Sequence, residues 1–143
     1  MASQATSALD VITRMFEEGF STGDGSVVDE ICHPDLIEHQ FGMAARGPDA
    51  IAHVKAAMAD VHAAVPDMRF TIEDSTQDGD QLWVRARGRG HASGPFFGPP
   101  SGAEIDITVI DVVTVRDGQI VEHWGVPDRF AMLAQTGVLA RLG

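Results

Sequence analysis

Asp111 is the residue whose setting calls for a chemical explanation. It lies in Glu104 to Val115, where Ile107, Val109, Val113 and Val115 occupy the positions two and four residues to either side. In an extended strand those residues share one face with it. A carboxylate on an aliphatic face is either desolvated and hydrogen-bonded, or it lines a cavity. The next strand offers a partner. A three-residue Arg116-Asp117-Gly118 loop with Gly118 left-handed sets Val113 opposite Val121 and Asp111 opposite His123. A two-residue loop sets Asp111 opposite Trp124 instead. The first register is preferred because it keeps the two valines together on one face. It puts a carboxylate beside an imidazole in an apolar pocket, where each alters the other's proton affinity and the pair suits general acid–base work. The same pair would also serve simply to satisfy buried polar groups.

Two further polar candidates lie in Leu36-Ile37-Glu38-His39-Gln40. As a short strand it points Glu38 and His39 in opposite directions, so one faces a pocket and the other is solvated. The remaining histidines lack ligand spacing, since His53 and His62 are nine apart, and no metal site is expected. Trp83, Arg85, Arg87, Arg89 and His91 alternate along one strand and read as a solvated or subunit-facing row. Phe96 and Phe97, within Gly94 to Pro100, either lid a cavity or anchor their loop. No phosphate cradle, nucleophile elbow or cysteine–histidine arrangement is present, so no cofactor is called for.

The elements that position these residues follow from periodicity. Ala8, Val11, Ile12, Met15, Phe16 and Phe20 repeat at helical spacing, and Ser21 to Gly25 breaks the helix. A short helix carrying Val27, Val28 and Ile31 stops before His33-Pro34. Gly47-Pro48-Asp49 starts a third helix with Ile51, Val54, Met58 and Val61 as its buried stripe. Beyond Pro66 the period becomes two: strands are expected at Met68 to Asp74, Gln81 to His91, Glu104 to Val115 and Gln119 to Gly125. Asp78-Gly79 and Asp117-Gly118 make tight turns between them. A last helix spans Asp128 to Gln135, closed by Gly137. Helices followed by an antiparallel meander define an α+β domain. The strand Ile105 to Val115 is apolar on both faces near its end, so a homodimer through the sheet is expected.

The 143 residues suffice for one domain, 1–143. A net charge of −11 argues against nucleic acid or an anionic membrane as partner, since both require clustered positive charge. The single cysteine, Cys32, rules out an internal disulfide framework. No apolar run approaches the roughly 18 residues needed to span a bilayer, and no signal peptide is apparent in MASQATSALD. A cytoplasmic protein is expected.

Three segments carry a family resemblance: Gly94 to Gly102, Ile110-Asp111-Val112-Val113, and Asp117-Gly118-Gln119-Ile120-Val121-Glu122-His123-Trp124. With His33-Pro34-Asp35 and His39 they resemble the SnoaL-like polyketide cyclases and the related ester cyclases, over nearly the whole chain. The resemblance implies the cone-shaped α+β barrel of the nuclear-transport-factor-two-like superfamily, with N-terminal helices on a curved, mainly antiparallel sheet around an apolar cavity. It implies ring closure on an apolar polyketide-type substrate by intramolecular aldol condensation, without metal or cofactor. The family's cyclases use an aspartate two residues after the final-strand histidine. Here the histidine is His123 and the aspartate position is Gly125. A preceding-strand histidine of the family falls on Asp111, and a pocket asparagine on Glu38. The expected catalytic residues are therefore Asp111, His123 and His39. Substrate contacts are expected from Glu38, Phe96, Phe97, Val109, Val113, Val121 and Gly125. Loss of the family's aspartate is also compatible with the AclR-like hydroxylases of anthracycline biosynthesis, and the same cavity would suit a non-catalytic small-molecule binder.

Overall fold

In a computed structural model, which describes residues 7–142, the helical and extended periods segregate into two layers. Helix α1 (Ala8–Arg14) opens on Ser7, whose side chain accepts from Asp10 N. It runs on as a wider π-helical turn over Met15–Phe20, where Ser21 N bonds to Phe16 O. Helix α2 (Val27–Ile31) leads directly into strand β1 (Cys32–Glu38), which is longer at its start than the expected Leu36–Gln40 piece. A two-residue β2 (Ala45–Arg46) precedes α3 (Pro48–Ala64). The meander follows: β3 (Arg69–Asp78), β4 (Gln81–His91), β5 (Glu104–Arg116) and β6 (Gln119–Pro127). Helix α4 (Arg129–Gln135), capped by Asp128, follows, and a five-residue α5 (Val138–Leu142) extends beyond the expected end at Gly137.

The six strands form one curved sheet in the order β2-β1-β6-β5-β4-β3. All neighbours are antiparallel except β1 and β6, which run parallel and carry the chain's first strand to the middle of the site. The helices cover the inner face. Val11, Ile12, Val28, Leu36, Val54 and Met58 pack there against Leu82, Val84, Ile105 and Ile120, all nearly inaccessible. In α3 the fully buried positions are Ala50, Val54, Met58 and Ala64, while Ile51 and Val61 sit half-buried at the stripe's margins. Strand β4 turns Leu82, Val84 and Ala86 inward, so the arginine row faces outward. Among the described residues no helix is long and apolar enough to cross a membrane.

Neither expected hairpin register occurs. Arg116 pairs with Gln119 across a two-residue Asp117-Gly118 turn, in which both residues have positive φ (52° and 75°). An irregularity at Val121 then adds one residue to β6, so Thr114 pairs with Glu122, Val113 with His123 and Asp111 with Gly125. The extra residue restores the parity a two-residue loop alone would lose. Asp111 and His123 therefore share the inner face, as diagonal rather than direct neighbours. Val121, expected opposite Val113, sits half-buried at the irregularity, and Ile120 takes the inward position.

Candidate active site

At the open end of the sheet the inner face leaves an apolar cavity of about 500 Å³. Phe16, Phe20, Met68, Phe70, Ile107 and Val109 form its walls, with Phe96, Phe97, Met132 and Leu133 toward the mouth. The π-helical turn supplies Phe16 and Phe20, which cluster with Phe70 at centroid separations of 5.1 and 6.1 Å. The aromatic pair in the long link both face this space. Phe96 packs on the core while Phe97 remains 76% exposed, its carbonyl held by Arg141. Phe96 thus anchors the loop, and Phe97 borders the cavity on its exposed side.

A cluster of buried polar groups meets the apolar space at its inner end. His123, Asp111 and Glu38 are all buried, from β6, β5 and β1 respectively. His123 Nδ1 donates to the Glu38 carboxylate, at 2.7 Å from Oε1 and 2.8 Å from Oε2. Nε2 on the other side of the ring lies 3.5 Å from Asp111 Oδ1. Among the described residues neither Asp111 Oδ1 nor His123 Nε2 finds a hydrogen-bond partner, although both are buried. Burial is the largest single influence on His123 and opposes its charge. Asp111 and then Glu38 together outweigh it, so the pKa is pushed up to about 10 and the ring is an imidazolium at neutral pH. The row thus runs Glu38, His123, Asp111, at the cavity's inner end.

Of the residues singled out from sequence, the fold brings together Asp111, His123, Glu38 and Gly125, with Phe96, Phe97 and Val109 on the cavity wall. Glu38 stands behind His123 rather than among the lining residues. Val113 is buried in the core beside His123, and Val121 lies off the cavity. His39 is displaced altogether. It is on the outer face, stacked on Trp124 with centroids 3.7 Å apart and 3.4 Å from Glu122, because Glu38 takes the inward position and alternation sends the next side chain out. Arg87 is external, as expected of its row, and pairs with Asp106. Gln40, at the end of the same segment, faces the cavity, and sequence reasoning missed it because no periodicity marks a residue just past a strand.

A family model for the SnoaL-like polyketide cyclases matches residues 10–136. Several solved structures share the fold. A SnoaL-like candidate cyclase from Jannaschia sp. CCS1 is 27% identical, covering 94% of this chain and 97% of that one, with a TM-score of 0.77. IdmH, a candidate polyketide cyclase from Streptomyces antibioticus, is 34% identical over 90% of this chain and 97% of that one, with a TM-score of 0.76. AclR from Streptomyces galilaeus, a candidate hydroxylase, is 20% identical over 91% of this chain and 78% of that one. At a TM-score of 0.74 it speaks to the fold alone. No curated protein matches. With a family model spanning nearly all of its length, this chain belongs to the SnoaL-like polyketide cyclase family.

Proposed function

We propose that the protein is a cofactor-independent enzyme that closes a ring on an apolar, polyketide-type substrate by acid–base chemistry. The observation that supports this reading is the buried Glu38–His123–Asp111 row at the inner end of an otherwise apolar cavity. In this mechanism the Asp111 carboxylate removes a proton from the carbon next to a substrate carbonyl. The imidazolium of His123, fixed in charge and orientation by Glu38, stabilises the enolate that forms. The enolate carbon attacks a second carbonyl of the same molecule, making the new carbon–carbon bond. Asp111 then returns its proton to the resulting alkoxide, so the product is an isomer of the substrate. Apolar walls fold the chain and exclude water, while Phe96 and Phe97 cover the entrance.

Asp111→Asn tests this directly. Turnover of an aromatic polyketide methyl ester to an isomeric product is expected to drop by about 10²–10⁴-fold, with the thermal midpoint retained. Near-normal turnover, or a product heavier by one oxygen formed only in air, would overturn the proposal, the latter in favour of hydroxylation.

A second copy of the chain is proposed to cover the outer sheet face. Trp83 and Trp124, each 48% exposed, flank Val112 across neighbouring strands, with Ile110 and the 68% exposed Val126 beside them. Along the rim of that patch Arg85 on β4 pairs with Glu73 on β3 and Arg87 with Asp106 on β5, so both signs of charge border the face that a second copy would cover.

A further inference from the structure

In the mechanism proposed above the substrate's carbonyl oxygen has the His123 imidazolium beside it, whose Nε2 has no hydrogen-bond partner among the described residues, and room for a second donor. His123 Nδ1 is committed to Glu38, and Nε2 is directed toward Asp111. Arg129 lines the mouth, but it donates to Phe41 O and lies over the Phe41 ring. Gln40 is different. Its backbone N–H donates to Glu38 Oε1 at 3.0 Å, the same oxygen that receives the His123 proton, and its carbonyl accepts from Met43 N. The main chain is thereby pinned on both sides. The carboxamide itself has no protein partner among the described residues, and it faces the cavity.

Gly125 shows where that carboxamide sits. A Cβ built there would lie 2.1 Å from Gln40 Oε1, 2.8 Å from Asp111 Oδ1 and 2.9 Å from His123 Cε1. One methyl-sized point is thus crowded by the amide, the base and the imidazole together; the amide atom there is Oε1, and since no protein partner among the described residues fixes the carboxamide, a half-turn about its terminal bond brings the Nε2 donor to the same place. Glycine at 125 is the condition that lets the amide reach the acid–base pair, since any side chain there would displace it.

We infer that Gln40 is the group that binds the substrate's carbonyl oxygen, its carboxamide N–H donating to the oxygen on which enolate charge develops beside Asp111. This inference rests on the acid–base reading, and it narrows the ligand to a ketone or ester whose oxygen points toward β6, with the apolar body along Phe16, Phe70 and Val109. Amide donors aimed at a developing oxyanion carry large effects because they require no reorganisation during the reaction.

A pair of binding probes tests the inference without relying on turnover. 2-Naphthol presents an enol-like oxygen on an apolar frame, and naphthalene presents the frame alone. Fluorescence titration of the full chain is expected to give tighter binding of 2-naphthol. Gln40→Ala should weaken 2-naphthol by about fivefold to tenfold and leave naphthalene within twofold. Gly125→Ala, whose backbone is free of a positive φ, should do the same by pushing the amide aside. The double variant should match Gln40→Ala alone. Equal loss for both probes, no loss for 2-naphthol, additive effects in the double variant, or no preference in the unmodified protein would each overturn the inference. If Asp111→Asn abolishes turnover while Gln40→Ala leaves the probes unmoved, this inference fails and the acid–base reading stands. Normal turnover in Asp111→Asn with a probe response at Gln40 has the opposite meaning.

Discussion

Replacing Glu38 with glutamine removes one charge from the buried row while keeping an oxygen that accepts from His123 Nδ1. His123 titrates at about 10 instead of the ordinary 6.5. A raised folded-state pKa means the stabilisation is fully present below pH 6.5 and is lost as pH rises from there through 10. The whole rise corresponds to about 5 kcal/mol. Burial works against it, and Asp111 and Glu38 share the opposing effect from either side of the ring. Losing Glu38 is expected to bring the His123 midpoint down by about 1–2 units, which at neutral pH is about 2 kcal/mol. For a chain of this size that is roughly 5–8 °C in Tm. Two assays read it. NMR titration of the His123 ring gives the midpoint directly, and thermal melts across pH 6–10 give the linkage. The Tm gap between the two proteins should stay open through neutral pH and narrow as pH approaches 10, where His123 is half-charged in the unmodified protein and largely neutral in the variant. A gap that persists undiminished at pH 10, or a His123 midpoint that does not fall, would refute the electrostatic account of the row.

Other consequences are more local. Gly94→Ala puts a Cβ 1.7 Å from Ala63 O at the end of α3, backbone against backbone. It should cost about 1–3 kcal/mol in denaturant melts and make the link from Ala92 to Ala103 more sensitive to protease. Met58→Ala empties a fully buried site packed on Gly19, with an expected loss of about 2–5 kcal/mol by the same measurement. Trp124→Glu sets a charge in the outer apolar patch and breaks the stack on His39. Sedimentation should then show a shift from dimer to monomer with the cavity's naphthalene affinity unchanged; an unshifted profile counts against the proposed interface.

Much of this architecture was legible because its signals are local. Strand β4 begins and ends where its alternation does, and α3 starts at Gly47-Pro48-Asp49 as the proline and acid dictate. The inner face of β5 was legible too, since Asp111 stands out among Ile107, Val109 and Val113. The β5–β6 register was not, because one extra residue at Val121 leaves no mark in a run of Ile-Val-Glu. The choice between Glu38 and His39 was beyond pattern reading, because either would suit an inward position. The parallel pairing of β1 with β6 decides it. Gln40 escaped for a related reason: its significance comes from the empty position at Gly125, far away in sequence. What failed to appear was long-range geometry, whereas residue types and local periods translated well.

That parallel pairing also fixes when the site can exist. Glu38 and His123 are 85 positions apart, and Glu38 reaches its partner only when β1 lies against β6. During synthesis the N-terminal helices and β1 emerge with a carboxylate that has no imidazole to meet, and they must wait until β6 has been made. Closing so long a loop is entropically costly and slow, so the acid–base row is expected to be among the last features to form. Recovery of His123's raised pKa on refolding should therefore trail recovery of the β3–β4 hairpin, whose turn is local. Assembly of the buried row and docking of β1 on β6 are one event.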